Sequence, residues 1–276
     1  MIILIITKKC DAYINSPNKK LFFILNSNDF FLQYYFGYKM IVVNFFKPKI
    51  IAIVPAAGIG SRMQINLPKQ YIKIQNRTIL EHTLETLLLH PNIIRIIVSL
   101  NKKDDYFKKL SISSNIRITS VIGGEKRINS VLSGLIVAKN ADWVIVHDAV
   151  RPCLSYEDLK NLISIIEKKP VGALLARPVS DTIKYSNFTQ REVLYTVHRK
   201  NLWHALTPQL FQIHLLRDCL KKIIKDKISI TDEASALEYC GYKPLLVLGS
   251  SRNIKITWPE DLILANFYLQ KGNIDK

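Results

Sequence analysis

From Ile50 onward the chain predicts an α/β fold, a doubly wound and mostly parallel sheet of the Rossmann-like kind with a protruding β-arm, and three observations lead there. Short apolar runs alternate with stretches of helical periodicity, the pattern of a parallel sheet covered on both faces. Gly58, Gly124 and Asp148 fall at the carboxyl ends of apolar runs, where ligands gather on such sheets. One polar segment, about 180–200, breaks the alternation.

The apolar runs place strands at 50–55, 93–99, 116–122, 143–147, 172–177 and 244–248. Helical patterns lie between them at 79–90, 127–138, 156–168, 212–226, 232–240 and 259–270. The segment from Asp181 to Arg199 is polar, carries β-branched residues at intervals and lacks a helical stripe, and so reads as the β-arm. Residues 49–276 then form one domain, a size that buries a large core.

Residues 1–48 are different, with apolar clusters such as MIILII and LFFIL separated by Asn, Lys and Ser. None is long enough to cross a bilayer. A signal peptide fits poorly, because MIILII runs into Lys8 and Lys9 rather than a small-residue cleavage site. Three readings remain: a partner-binding extension, a targeting segment, or a poorly ordered upstream stretch not normally translated, with Met40 as the start. The last is preferred.

The net charge of +17 raises the question of nucleic acid, but the lysines are scattered and no aromatic-interleaved basic stripe or zinc-finger spacing is present. No nucleic-acid or membrane partner is expected; the charge reads as solvated surface plus a phosphate pocket. Cys10, Cys153, Cys219 and Cys240 have no paired spacing, which points to free thiols in a reducing cytoplasm. The histidines show no helical metal pair.

The stretch VPAAGIGSRMQINLPKQY, residues 54–71, reads as a triphosphate cradle. After Pro55, Ala56 and Ala57, the glycines Gly58 and Gly60 let the backbone bend tightly and approach an anion. Arg62 supplies forked donors matched to phosphate oxygens; Lys69, stiffened by Pro68, supplies a compact charge. The bland alternative is an ordinary strand-to-helix turn beside two solvated cations. Neither a Walker loop nor a dinucleotide fingerprint fits, since no Lys-Ser/Thr pair follows the last glycine and no third glycine occurs. Asp148, at the end of an apolar strand, could bind Mg²⁺ or a sugar hydroxyl, or could instead cap a helix or pair with Arg151.

These blocks, with GGEKRINSVLSGL from Gly123, VIVHDAVRPCL from Val144, PVSDTIK from Pro178, HRKNLWHALTPQLF from His198, ITDEASALEYCG from Ile230 and NIKITWPEDL from Asn253, resemble the 2-C-methyl-D-erythritol 4-phosphate cytidylyltransferase family, IspD, from about Ile50 to about Gln270. The resemblance implies transfer of a cytidylyl group from CTP to 2-C-methyl-D-erythritol 4-phosphate in the non-mevalonate isoprenoid route, with Mg²⁺ as cofactor. It implies catalytic roles for Arg62 and Lys69, which stabilise charge on the α-phosphate and pyrophosphate, and for Arg199 and Lys255, which with Thr182 grip the second substrate's phosphate; Pro55 to Gly58, Gly60, Gly124, Arg127, Ser130 and Asp148 hold the nucleotide. Arg151, Thr182 and Thr207 are candidates for binding the second substrate, and Asp148, on the chemistry of its carboxylate, is the candidate metal ligand. It also implies a homodimer, in which Thr182 and Arg199 on the arm serve the neighbouring subunit's site.

Taken singly, Ser130 is also a plain first-turn helix residue and Thr207 a turn residue before proline. Two departures from the family stand out: His198 beside Arg199, and Arg252 before Asn253, each where an acidic residue is expected. The first bears on how Arg199 is oriented, the second on charge balance near Lys255. Rival readings are a cytidylyltransferase acting on ribitol 5-phosphate and a non-catalytic nucleotide-binding protein.

Overall fold

The computed structural model describes residues 48–58, 63, 67–168, 170–187, 189 and 191–272, together with the backbone of short strands between 15 and 44. Gly60 and Arg62 therefore lie outside the described residues. The chain divides into two units, Met1–Lys47 and Pro48–Lys276. In the first, β1 (Asn15–Ser16) pairs with β2 (Lys19–Lys20), and β3 (Ile24–Leu25), β4 (Phe30–Phe36) and β5 (Lys39–Asn44) form an antiparallel sheet.

The second unit is built on seven strands: β6 (Ile50–Ala56), β9 (Ile93–Leu100), β10 (Ile118–Ile122), β11 (Trp143–Val146), β12 (Gly172–Pro178), β15 (Trp203–Gln212) and β16 (Leu245–Leu248). Their order across the sheet is β10-β9-β6-β11-β15-β12-β16. All neighbours are parallel except β15, which runs antiparallel to both β11 and β12. The all-apolar β6 and β11 sit at the centre, buried on both faces, which is why their sequences show no polar alternation.

Helices cover both faces. On one, α1 (Ile79–Leu89) and α3 (Tyr156–Ser164) bury Leu80, Leu84, Leu159 and Leu162 against Ile50, Ala52 and Ile145. On the other, α2 (Arg127–Val137), α4 (Ile213–Lys225) and α5 (Glu233–Tyr239) bury Val131, Leu216 and Leu237 against Ile51, Ile53 and Val144. The helix starts follow local chemistry: Thr78 and Glu81 form a capping box on α1, Ser155 caps α3, and Asp232 with Ser235 caps α5. Helix α2 follows Lys126 with no side-chain cap, and the Asn129 and Ser130 amides return to the Lys126 carbonyl. The last helix, α6 (Glu260–Gly272), packs Ala265 into a small third cluster with Met63, Ile79 and Ile256. The two-stranded β7 (Lys73–Ile74) and β8 (Arg77–Thr78) complete this corner.

The arm is present as β13 (Ile183–Ser186) paired antiparallel with β14 (Val193–Val197). Strand β15 is the element the periodicity did not reveal. Its Pro208 lacks the amide a central strand needs, which argues against a strand there. The structure accommodates it with an irregularity: pairing with β12 slips between Leu174 and Ala176, and pairing with β11 ends at Val146–Gln209. The Thr207–Pro208 peptide at this break is cis.

Beneath β12 and β15 the packing is tight, since a methyl group on Gly172 would stand 2.3 Å from Phe211 Cδ1 and 3.0 Å from the Leu210 carbonyl. Gly172→Ala is expected to cost about 1–3 kcal/mol by overpacking, read as a lower urea midpoint with an unchanged slope.

Candidate active site

The break in β15 releases the chain after β11 from the ladder, and the site is built there. The amide of Asp148 donates to Thr207 Oγ1 at 3.1 Å instead of to a strand neighbour. Asp148 is buried and meets three cations: Arg127 on its Oδ1 at 3.2 Å, and Arg151 Nε at 3.2 Å and Lys255 Nζ at 3.1 Å on its Oδ2. Burial pushes its carboxyl up, but the charges of Arg127, Lys255 and Arg151 outweigh it and hold the group well below the usual carboxylate range. The Arg151 pairing foreseen for Asp148 is thus present, as one of three.

Further contacts fix these cations. Arg151 donates to the Asn253 carbonyl at 2.6 Å, and Asn253 Nδ2 donates to the Thr207 carbonyl at 2.7 Å. Arg127 also pairs with Glu233, a fully buried carboxylate at the start of α5. Burial drives the Glu233 carboxyl up against the pull of Arg127, while Arg127, whose own burial acts the other way, is raised by Glu233 and Asp148. Gln209 secures α5 by donating to Asp232 at 2.8 Å and accepting from the Ala234 amide at 3.0 Å. Three cations against two carboxylates leave a positive surplus. Lys255, with 43% of its side chain exposed, is the cation an incoming anion meets most readily.

His147 is completely buried, with Nδ1 bonded to Thr207 Oγ1 at 2.9 Å and Nε2 in no well-formed hydrogen bond. Burial pushes its pKa down to about 3, so it is neutral at physiological pH and already engaged. Neither His147 nor the ion-paired Asp148 is suited to act as a general base.

Across the cleft, the turn Lys69–Tyr71 ties separate segments together. Lys69 Nζ donates to the Ile256 carbonyl at 3.0 Å, and buried Gln70 donates to the carbonyls of Ala56 at 2.8 Å and Gly58 at 3.3 Å. Tyr71 donates to Asp104 at 2.5 Å. A Cβ on Gly58 would meet no atom of the described residues within 4 Å. Ser130, on α2, accepts from the Gly124 amide at 3.1 Å, and Ser99 donates to the Ser130 carbonyl at 2.7 Å. The Ser130 hydroxyl therefore shapes the Gly124 loop.

Of the residues expected from sequence, Arg127, Asp148, Arg151, Thr207 and Lys255 converge on one cluster, and Lys69 joins it through the Ile254–Ile256 strip. Pro55 to Gly58, Gly124 and Ser130 stand at the carboxyl ends of β6 and β10. Thr182 and Arg199 do not join: both are exposed on the arm, where Arg199 donates to the Ser180 carbonyl, and no hydrogen bond or ion pair links them to the Asp148 cluster among the described residues. Arg252 leaves Lys255 balanced after all, by Asp148. Gln70, His147, Glu233 and Asn253 escaped sequence reasoning, although each sits inside a block that carried the resemblance.

A Mg²⁺ ion does not fit Asp148 as it stands, since both carboxylate oxygens are taken by cations. Among the described residues no group of three or more His, Cys, Asp or Glu side chains is placed to hold a metal.

A glycine turn at the end of β6, an uncapped helix start and a cationic cluster around one carboxylate, on a sheet of this order, define a nucleotidyltransferase. A sequence profile for 2-C-methyl-D-erythritol 4-phosphate cytidylyltransferase, IspD, matches residues 50–271. Curated enzymes of that name are 82% identical over 237 residues in Buchnera aphidicola subsp. Acyrthosiphon pisum, covering 86% of this chain and all of the relative, and 53% identical over 222 residues in Yersinia pseudotuberculosis, covering 80% and 92%. The crystal structure of the Francisella tularensis enzyme superposes with a TM-score of 0.69 at 36% identity, covering 80% of this chain and 99% of that one. The chain belongs to the IspD family. It is an enzyme that transfers the cytidylyl group of CTP to 2-C-methyl-D-erythritol 4-phosphate, releasing pyrophosphate, in the non-mevalonate isoprenoid pathway.

Because Asp148 is held below its ordinary value of 3.8, its contribution to stability is complete above that value and is lost as the pH falls toward the lower folded one. Asp148→Asn is expected to cost on the order of 3 kcal/mol at neutral pH by unpairing buried cations. Urea titrations should show the gap from the parent protein narrowing below about pH 4.

Proposed function

We propose that this cleft performs the transfer by positioning and charge neutralisation, with no general base. A phosphate oxygen of methylerythritol phosphate forms a bond to the α-phosphorus of CTP, the bond from that phosphorus to the bridging oxygen breaks, and its electron pair departs on pyrophosphate. The attacking oxygen is already ionised at neutral pH, so no proton has to be removed. The observation that carries this reading is Asp148 with its three cations: the carboxylate fixes their directions before substrate arrives, which is the form of electrostatic preorganisation that lowers a barrier.

Lys69, anchored at the Ile256 carbonyl, and Arg62, on sequence grounds, neutralise the five-coordinate α-phosphate and the leaving pyrophosphate. The Pro55–Gly58 turn with Gly60, and Gly124, Arg127 and Ser130, hold the nucleotide. Arg151, Thr207 and Lys255 face the phosphate of the second substrate. With both Asp148 oxygens facing cations, this carboxylate is poorly suited to Mg²⁺; bound with CTP, the ion would supply further neutralisation of the triphosphate charge.

The arm we assign to a homodimer. Tyr185, Val193, Leu194 and Tyr195 expose more than half of their surface, and the two tyrosines stack at 4.9 Å, an apolar face suited to a second copy of this chain. Thr182 and Arg199, remote from their own subunit's cluster in its bonding, then complete the partner's site. The described cysteines Cys153, Cys219 and Cys240 are free, and no helix among the described residues is long and apolar enough to cross a membrane. The free thiols support a cytoplasmic location.

Pyrophosphate release is expected only with CTP and methylerythritol phosphate together. Lys69→Ala should lower kcat by about 100- to 1000-fold with the fold intact by circular dichroism. A loss below tenfold would remove Lys69 from the chemistry. Leu194→Glu, in turn, is expected to shift the molar mass in sedimentation from dimer to monomer and to lower turnover with it.

A further inference from the structure

The glycine turn that the preceding reading gives to the nucleotide is held from behind by two side-chain amides. Three successive carbonyls are occupied: Gln70 Nε2 reaches Ala56 at 2.8 Å and Gly58 at 3.3 Å, and Asn101 Nδ2 reaches Ala57 at 3.3 Å. Gln70 is buried to 4% exposure and Asn101 is exposed, so the two approach from different surroundings.

In a trans peptide the carbonyl and the following amide point in opposite directions across one rigid plane. Fixing the Ala56 carbonyl on Gln70 therefore turns the Ala57 N–H away from Gln70. Fixing the Ala57 carbonyl on Asn101 likewise turns the Gly58 N–H away from Asn101. A backbone anion site requires amides turned outward, and a flexible Ala-Ala-Gly turn does not keep them so by itself. Carbonyl oxygens left free to rotate would face a triphosphate with like charge.

We infer that Gln70 and Asn101 are positioning residues for CTP: by holding the carbonyls of Ala56, Ala57 and Gly58, they keep the turn's amides directed at the nucleotide. The inference rests on the reading of this turn as the nucleotide cradle. Gln70 sits between Lys69 and Tyr71, so the same short turn that carries the catalytic lysine also sets the shape of the loop opposite. Toward the turn both act as donors, while Asn101 Oδ1 accepts from the Lys103 amide at 2.9 Å. Glutamate at position 70 would present oxygens to carbonyl oxygens and push the turn out of place.

The test measures CTP affinity by calorimetry on the intact enzyme without acceptor, and KM for both substrates. Gln70→Ala is expected to weaken CTP binding and raise its KM about ten- to thirtyfold. Gln70→Glu should do more and Asn101→Ala less, while KM for methylerythritol phosphate changes less than twofold. A purely structural role would lower the melting temperature and the active fraction, leaving the KM for CTP in place. Asn101→Ala guards against misfolding of the buried variant, because its side chain is exposed. Gly58→Val separates this inference from the cradle itself: a Cβ there meets no atom of the described residues within 4 Å, so the variant is expected to fold, checked by circular dichroism, and to block CTP. If Gly58→Val abolishes binding while Gln70→Ala and Asn101→Ala bind CTP within twofold of the parent, the positioning role is overturned and the cradle stands. If Gly58→Val binds CTP normally, the cradle and the inference fall together.

Discussion

One buried carboxylate organises this enzyme. Asp148 is the point at which α2, the loop after β11 and the strip before α6 are joined, because each sends a cation to it. Bringing Arg127, Arg151 and Lys255 into one partly buried place without a counter-charge would be strongly unfavourable. With Asp148 present the three become a fixed array whose net charge is still positive. The fold spends tertiary structure on that array: Glu233 restrains the other end of Arg127, the Asn253 carbonyl restrains Arg151, and Asn253 itself is tied to Thr207. The site is therefore a network in which few members can relax independently.

Much of this was legible in the sequence, and the reason differs by element. The parallel strands could be located because buried strands are continuously apolar, and helix ends matched their expected limits to within a few residues because Thr78, Ser155 and Asp232 are good caps. Strand β15 was not legible. Its defining property is pairing on both sides with strands more than twenty residues earlier, and Pro208 speaks against it locally. The site residues that could be named either carry a chemistry visible alone, such as a lysine or an arginine in a motif, or, like Ser130 and Thr207, fall where the resemblance points. Gln70, His147, Glu233 and Asn253 act through partners distant in sequence, such as Arg127 with Glu233 across 106 positions and Arg151 with Asn253 across 102. Nothing local announces a contact of that kind.

The reaction class explains why buried polar groups here are so rarely poised to accept protons. Where the nucleophile arrives ionised, a site gains by holding charge still rather than by moving protons. The neutral, fully buried His147 fits that economy: it supports the Thr207 hydroxyl and stays out of the titration range.

The arm leaves the sheet after Pro178 and returns at Trp203, and these two residues are ladder partners. It is in consequence a hairpin grown out of the middle of a sheet, with entry and exit side by side. Residues can be gained or lost around Asn187–Arg191 without moving any strand of the core, since the closure entropy of such a loop changes only slowly with its length. The apolar face we assign to a second copy of this chain can thus diverge between lineages at its tip, while one of its roots, Trp203, lies four residues before Thr207 in the Asp148 cluster.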